Sequence, residues 1–177
     1  MRWRIELLAA HHRREGFDCG EPALNAFLQQ QAGQLSKKGF GKTYVALAPD
    51  GVQVVGYVTL SAGQVETQRL PAHLKLLRYP APVLRMGRLG VDTQSQGSGV
   101  GRQLMSFAMQ VALEFAETVG VYAVLVDAKN EKVQGYYQSL GFIPTLDNPL
   151  CLFLPVATLQ KSRQDTSRHP PPSDPAS

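Results

Sequence analysis

The sequence predicts one α/β (α+β) domain with a mixed sheet, and three observations lead to this fold class. Residues 83–91 form an apolar run, a glycine-rich turn follows, and an amphipathic segment begins at residue 100. Residues 121–126 form an unbroken apolar run in which every second or third residue is the β-branched valine, as in a strand covered on both faces. Residues 43–48 and 52–61 are β-rich and flank Pro-Asp-Gly, the composition of a hairpin turn.

The N-terminal half contains the following elements. Residues 2–8 alternate as a first strand, and residues 11–20 form a polar loop. A helix starts at Pro22 and presents one apolar face, although Gly33 weakens its later part; that face consists of Leu24, Phe27, Leu28 and Leu35. Residues 36–42 are predicted to be a basic, mobile connection. Residues 70–82 hold three prolines, too many for a strand, so a short helix or packed loop is expected there.

The C-terminal half continues the alternation of strands and helices. The helix from Val100 ends near Gly120 and packs on the sheet, with the strands on either side of it parallel and joined by a right-handed crossover. A helix over 131–140 ends at Gly141, residues 142–145 begin another strand, and residues 150–154 close the sheet. We assign residues 1–160 to the domain and, from their polar, proline-rich composition, residues 161–177 to a disordered tail.

Length and composition limit the classes of function. With 177 residues, 44% of them hydrophobic, the chain is long enough for one core and too short for two ordinary domains. The two cysteines and four histidines match no disulfide framework or metal-site spacing, so we expect no metal. The sequence has no apolar run of membrane-spanning length and no signal peptide, which predicts a cytoplasmic protein.

Charge is distributed unevenly along the chain, whose formal net charge is +4. Residues 69–102 contain six basic residues and one acidic residue, a balance of +5, whereas residues 103–160 contain two basic and five acidic residues, a balance of −3. Such a segment fits a surface that faces a polyanion, and it equally fits ordinary solvated side chains.

The glycine-rich turn over residues 96–102, Gln-Gly-Ser-Gly-Val-Gly-Arg, carries the clearest functional signal. Glycines at alternate positions allow main-chain N–H groups to close around an anion, and the helix that follows adds its positive end. The spacing does not fit a Walker loop, a dinucleotide fingerprint or a nucleophile elbow. A purely structural glycine turn is the alternative.

Two motifs together resemble the GNAT superfamily of acyl-CoA-dependent N-acyltransferases. The first is the Gln-x-x-Gly-x-Gly turn, which resembles the superfamily's pyrophosphate loop. The second spans residues 130–142, with Asn130, Tyr136, Tyr137, Gly141 and Phe142 at the motif positions; Val133 and Tyr136 replace the usual alanine and phenylalanine. The resemblance implies a GNAT fold: a mixed sheet of six to seven strands, splayed between its central strands, with about four helices.

The resemblance also implies which residues would act. Tyr137 would protonate the departing thiolate, because a phenol with a pKa of about 10 stays protonated at neutral pH; packing under Phe142 is its alternative role. No carboxylate or histidine stands out as a general base. Acetyl-CoA would be held between two strands, with Asn130 reaching it from the second. The cofactor-binding residues would be Leu89, Gly90, Val91, Gln96, Gly97, Ser98, Gly99, Val100, Gly101, Arg102, Asn130 and Tyr137.

Further blocks across residues 5–157 resemble the GNAT toxins of bacterial type II toxin-antitoxin pairs, among them Gly87-Arg-Leu-Gly-Val-Asp92. This resemblance implies acetylation of the α-amino group of aminoacyl-tRNA, a block of translation, a ribbon-helix-helix antitoxin and a homodimer. The tRNA-facing residues would be Lys37, Lys38, Lys42, Arg69, Lys75, Arg78 and Arg85. Two alternatives remain: acetylation of a small amine or protein N-terminus, and a non-catalytic acyl-CoA-binding regulator.

Overall fold

The computed structural model describes residues 2–168, which contain one seven-stranded mixed sheet of order β1-β2-β3-β4-β5-β7-β6. Its strands are β1 (Arg4–Leu7), β2 (Lys42–Leu47), β3 (Val54–Val65), β4 (Ala81–Val91), β5 (Ala123–Asp127), β6 (Ile143–Pro144) and β7 (Cys151–Pro155). The β4–β5 pair is parallel and the other neighbouring pairs are antiparallel. The mixed sheet and the parallel central pair confirm the predicted fold class.

The helices are α1 (Pro22–Ala26), α2 (Ala32–Lys37), α3 (Val100–Thr118), α4 (Glu131–Ser139) and α5 (Val156–Arg168). A π-helical turn, Phe27–Gln31, joins α1 to α2, and the Ala32 N–H donates to the Phe27 carbonyl across it. Residues 22–37, the first helical segment, therefore form one continuous helix with a wide π-helical turn in its middle. The apolar spacing did not predict this turn. The buried Tyr57 of β3 anchors the segment, because the Tyr57 hydroxyl donates to the Leu24 carbonyl at 2.8 Å.

The two central strands pair over only part of their length. Parallel pairing runs from Val83 and Ala123 to Met86 and Val126, after which β4 continues to Val91 against β3 alone. The β3–β4 register shifts at Gly87, where a β-bulge redirects β4. A gap therefore opens between the end of β4 and the end of β5, as the resemblance implied.

The sheet buries apolar side chains on both faces. On one face, α3 packs on β3 and β4 through Leu104, Ala108 and Ala112. On the other face, the first helical segment covers one cluster and the 66–80 segment covers a second, around Val65 and Phe153. The apolar face that the spacing of residues 104–112 predicted is thus the face of α3 that packs on the sheet.

Three expectations about local structure were wrong. Residues 161–168 are helical, because α5 packs against α3 and β7 with Val156 buried, whereas their polar composition predicted disorder; the rest of the predicted tail, residues 169–177, lies outside the described range. Pro82 lies within β4, near the strand's start, where its missing N–H is tolerated. Strand β7 lies between β5 and β6, so the short β6 forms the edge.

Within residues 2–168, no helix is both long and apolar enough to cross a membrane.

Candidate functional site

The glycine-rich turn forms an open groove at the start of α3. Gly97 and Gly99 have φ of 83° and 98°, a left-handed conformation that favours glycine. The first main-chain hydrogen bond of α3 runs from the Gln103 N–H to the Gly99 carbonyl, so the three preceding N–H groups have no partner within the helix. These groups belong to Val100, Gly101 and Arg102. The groove encloses about 590 Å³ and its wall includes Tyr136. Unpaired N–H groups at a helix start suit an anion such as a diphosphate.

Gln96 fixes this turn to the end of β4. Its side-chain amide donates to the carbonyls of Val91 at 2.9 Å and Cys19 at 3.2 Å. Asp92 adds a second fixation, because its carboxylate accepts from the N–H groups of Gln94 and Asp18, each at 3.0 Å. The Gln96 side chain thus orients the groove. Its amide N–H groups and the Val91 carbonyl are already used in these hydrogen bonds.

At the end of β4, successive main-chain N–H and C=O groups point alternately toward β3 and away from it. The Asp92 N–H donates to the Val55 carbonyl at 2.9 Å. Because hydrogen-bonded pairs alternate in antiparallel strands, the next such pair is Gly90 with Tyr57. The peptide groups of Leu89 and Val91 therefore point away from β3 into the gap, whereas those of Gly90 are engaged by β3. Of these three predicted cofactor contacts, the structure brings Leu89 and Val91 to the gap.

Tyr137 lies at the other side of the gap, on α4, and is 6% exposed. Its ring lies 5.3 Å from that of Phe142 and 5.8 Å from that of Tyr136. The pKa of Tyr137 is raised to about 12, chiefly by burial and to a smaller extent by the nearby Tyr136 and Asp127. The phenol therefore stays protonated at any physiological pH, and it can donate a hydrogen bond to a developing thiolate.

Asn130 acts as the N-cap of α4. Its side-chain oxygen accepts from the Val133 N–H at 3.0 Å. This cap explains the asparagine at this point in the motif without a ligand, because an N-cap satisfies an otherwise unpaired helical N–H.

Three of the seven basic residues predicted to face tRNA have partners within the protein. Arg85 donates to the Asp127 carboxylate, Arg69 donates to Asp147 at 2.9 Å, and the Lys42 ammonium donates to the Ser36 carbonyl at 3.0 Å. The other four are exposed: Lys37, Lys38, Lys75 and Arg78. Lys75 and Arg78 lie in the segment before β4, whereas the glycine-rich turn follows it. The length of β4 separates these two regions by roughly 35 Å.

A second pocket, of about 470 Å³, lies between the first helical segment and the middle of β4. Its apolar wall includes Phe27, and the Arg88 guanidinium stacks 3.9 Å above that ring. Gly87, Arg88 and Asp127 border it where β4 leaves β5, so the pocket opens on the same gap as the groove. The sequence analysis missed this pocket, since its walls come from segments up to about one hundred residues apart.

Glu6, His11 and His12 form a cluster whose ligand atoms lie within 4.8 Å of one another. The buried His12 accepts from the Ala9 N–H through Nδ1 at 2.9 Å, and its Nε2 lies 2.6 Å from a Glu6 oxygen. Nδ1 therefore carries no proton, and Nε2–H donates to the carboxylate. A metal-bound histidine normally donates its second N–H outward, so this arrangement favours a hydrogen-bonded structural cluster.

Comparisons with known proteins agree with this geometry. Residues 6–142 match the acetyltransferase (GNAT) family. A tRNA-acetylating toxin of Mycobacterium tuberculosis is 31% identical over 139 residues, which cover 78% of this chain and 82% of that protein.

Two solved structures are similar over nearly their whole length. One is AtaT complexed with acetyl-methionyl-tRNAfMet, with a TM-score of 0.84 and 33% identity over 92% of this chain and 99% of AtaT. The other is a mutant of the toxin AtaT bound to the C-terminus of the antitoxin AtaR and acetyl-CoA, with a TM-score of 0.79 and 32% identity over 91% of this chain and 98% of that one.

Proposed function

The chain belongs to the acetyltransferase (GNAT) family, and we propose that it transfers the acetyl group of acetyl-CoA to the α-amino group of an aminoacyl-tRNA. One observation carries this proposal: the whole fold is shared, at about one-third identity, with a toxin complexed with an acetylated aminoacyl-tRNA. A chain that blocks translation in this way would be the toxin of a toxin-antitoxin pair and would act in the cytoplasm.

The cofactor would lie along the gap between β4 and β5. Its diphosphate would bind the free N–H groups at the start of α3, and its pantetheine arm would pair with the peptide groups of Leu89 and with the N–H of Val91, whose carbonyl already accepts from Gln96. Bound acetyl-CoA would bring its thioester next to Tyr137, whose phenol would donate to the leaving thiolate. Asn130 would contribute by fixing the start of α4.

The acceptor would enter from the opposite end of β4. The exposed Lys75 and Arg78 lie at that end, and Lys37 and Lys38 lie where α2 leads into β2. Cations there would contact tRNA phosphates while the anionic part of the cofactor stays at the far end of the strand. This separation supports a polyanionic acceptor over a small amine.

Two further partners belong to the proposal. The complex of AtaT with its antitoxin AtaR supports an antitoxin that covers this chain, and we propose one of the ribbon-helix-helix type, with the toxin acting as a homodimer. Co-expression with the product of the neighbouring reading frame should restore growth. The mass of the purified protein in solution tests the dimer.

The deciding experiment compares two forms of one tRNA. Purified protein is incubated with labelled acetyl-CoA and either aminoacylated tRNA or the same tRNA stripped of its amino acid. Label should enter only the aminoacylated form, because only that form presents an α-amino group. Equal label on both forms, or none on either, would rule the proposal out.

A further inference from the structure

The pocket beside the gap contains one acidic side chain among the described residues that line it. This is Asp127, the last residue of β5, with 46% of its side chain exposed. It lies where β4 leaves β5, at the border between the pocket and the gap. Its negative charge balances part of the charge of the neighbouring pocket residues Arg85 and Arg88, which are both cationic.

Arg85 holds the Asp127 carboxylate in place. Its Nη2 donates to Oδ2 of Asp127, and the two strands that carry these residues are paired in register at Arg85 and Leu125. Both side chains therefore lie on the sheet face that the first helical segment covers. The carboxylate is held by Arg85, is partly open to solvent and lines the pocket in which an acceptor would lie.

The thiol and the phenol near Asp127 both stay neutral around pH 7. Cys151 lies directly across on β7, and the pKa of its thiol is raised, chiefly by burial. The Tyr137 phenol approaches from α4 and has a pKa of about 12. The cations that line the pocket beside Asp127 are the guanidinium groups of Arg85 and Arg88. Between about pH 6 and about pH 8, the group that would change charge near Asp127 is the acceptor amine itself.

We propose that Asp127 binds the protonated α-amino group of the acceptor and takes one proton from it, a step that rests on the function proposed above. An α-amino group has a pKa of about 7.7 to 8.0, so near pH 7 it is mostly an ammonium ion without a lone pair to attack. Asp127 offsets the repulsion of the two arginines and accepts the proton. The carboxylate becomes a carboxylic acid, and the ammonium becomes a neutral amine.

The remaining steps balance as follows. The amine nitrogen bonds to the acetyl carbon and the C–S bond breaks. The thiolate takes a proton from Tyr137, the nitrogen gives up its second proton to solvent, and solvent reprotonates Tyr137. Asp127 returns its proton to solvent. The net result is an amide, the free thiol of coenzyme A and one released proton.

The test is the pH dependence of kcat/KM for acetylation of aminoacyl-tRNA by wild type and Asp127→Asn. The variant should lose about 10- to 100-fold near pH 6.5, where the amine needs a proton acceptor. The loss should shrink to a few-fold near pH 8.5, where most of the amine is already neutral. Asp147→Asn is the matched control, because Asp147 also pairs with an arginine at the surface but lies outside the pocket.

Thermal unfolding and acetyl-CoA binding establish that each variant is folded, and Asp127→Ser replaces the asparagine variant if that one is not. The Asp147→Asn profile should have the wild-type shape. An Asp127 profile that runs parallel to wild type at every pH would overturn the inference. Wild type that acetylates no aminoacyl-tRNA would instead refute the proposed function, so the two failures are distinguishable.

Discussion

Gly56 of β3 lies directly beneath Val100, the first residue of α3. A Cβ added to Gly56 would lie 2.7 Å from Cγ1 of Val100 and 3.0 Å from Cδ1 of Leu104. Real Cβ atoms essentially never approach another atom as closely as the 2.7 Å to Val100. The missing side chain therefore lets α3 begin against the sheet, and this close approach sets the position of the helix start that faces the groove.

Gly56→Ala should displace the start of α3. We expect a loss of about 1 to 3 kcal/mol in the free energy of unfolding, typical of overpacking, together with weaker acetyl-CoA binding. Denaturant unfolding and calorimetry measure the two effects. Gly63→Ala is the control on the same strand, because its Cβ would make an ordinary contact at 3.4 Å with Val83. Equal effects of the two substitutions would contradict this role for Gly56.

Gly99→Val should weaken acetyl-CoA binding about 10-fold or more, because valine strongly disfavours the φ of 98° that turns the N–H groups toward the groove. Gly120→Val is a matched control: Gly120 follows the other end of α3 with a φ of 99°. Both variants should lose stability, and only the first should lose affinity in calorimetry. An unchanged affinity in folded Gly99→Val would show that the turn does not hold the cofactor.

Tyr137→Phe should lower kcat by about 100-fold while leaving fold and cofactor affinity intact, because only the proton donor is removed. Single-turnover measurements separate the chemical step from product release. Tyr122→Phe serves as the control, since Tyr122 is a partly buried phenol at the opposite end of β5. If the chemical step of Tyr137→Phe runs at the wild-type rate, the residue has a packing role only.

The raised pKa of Tyr137 makes a separate prediction about alkaline pH. Folding favours the neutral phenol, so its stabilising contribution is complete below about pH 10 and is lost as pH rises toward 12. The difference in unfolding free energy between wild type and Tyr137→Phe should therefore change only above about pH 10. A change beginning near neutral pH would mean that the phenol is not buried in solution.

Replacing Lys75 and Arg78 by alanine should weaken binding of tRNA and reduce its salt dependence. Each lost phosphate contact should lower the slope of log affinity against log salt by about 0.7 to 0.9. Arg69 and Arg85 are poorer choices, because their replacement also frees Asp147 or Asp127. Arg2→Ala, an exposed cation beside the edge strand β1, is the control. If the double variant keeps the wild-type salt slope, Lys75 and Arg78 do not contact tRNA phosphates.

The features that depend on a short stretch of sequence, the glycine-rich turn and helix α3, were predicted well. The glycines at 97 and 99 and the apolar spacing of α3 identified the groove because turn and helix chemistry depend on near neighbours. The tail prediction was wrong over residues 161–168, because composition alone does not reveal that α5 packs on α3. The hairpin of β2 and β3 and the parallel pair of β4 and β5 were predicted, but the position of β7 between β5 and β6 was not.

The sequence did not predict which side chains pair across the sheet. Arg85 and Asp127 are 42 residues apart, and Arg69 and Asp147 are 78 apart. Nothing in the charge balance of residues 69–102 indicated that two of its arginines would be paired with acids from the other half of the chain. The one available signal for Asp127 was its place at the end of an apolar strand, which is where functional side chains often lie in α/β folds.

The π-helical turn between α1 and α2 has an evolutionary consequence. Such a turn accommodates one residue more than regular α-helical winding. Because the turn already absorbs that residue, deletion of the exposed Gln30 would restore regular winding and leave α1 in nearly the same rotation relative to α2, with Leu24 still on the pocket wall. A lineage could therefore gain or lose this residue by a single-codon insertion or deletion and still keep the apolar face that the first helical segment presents to the pocket.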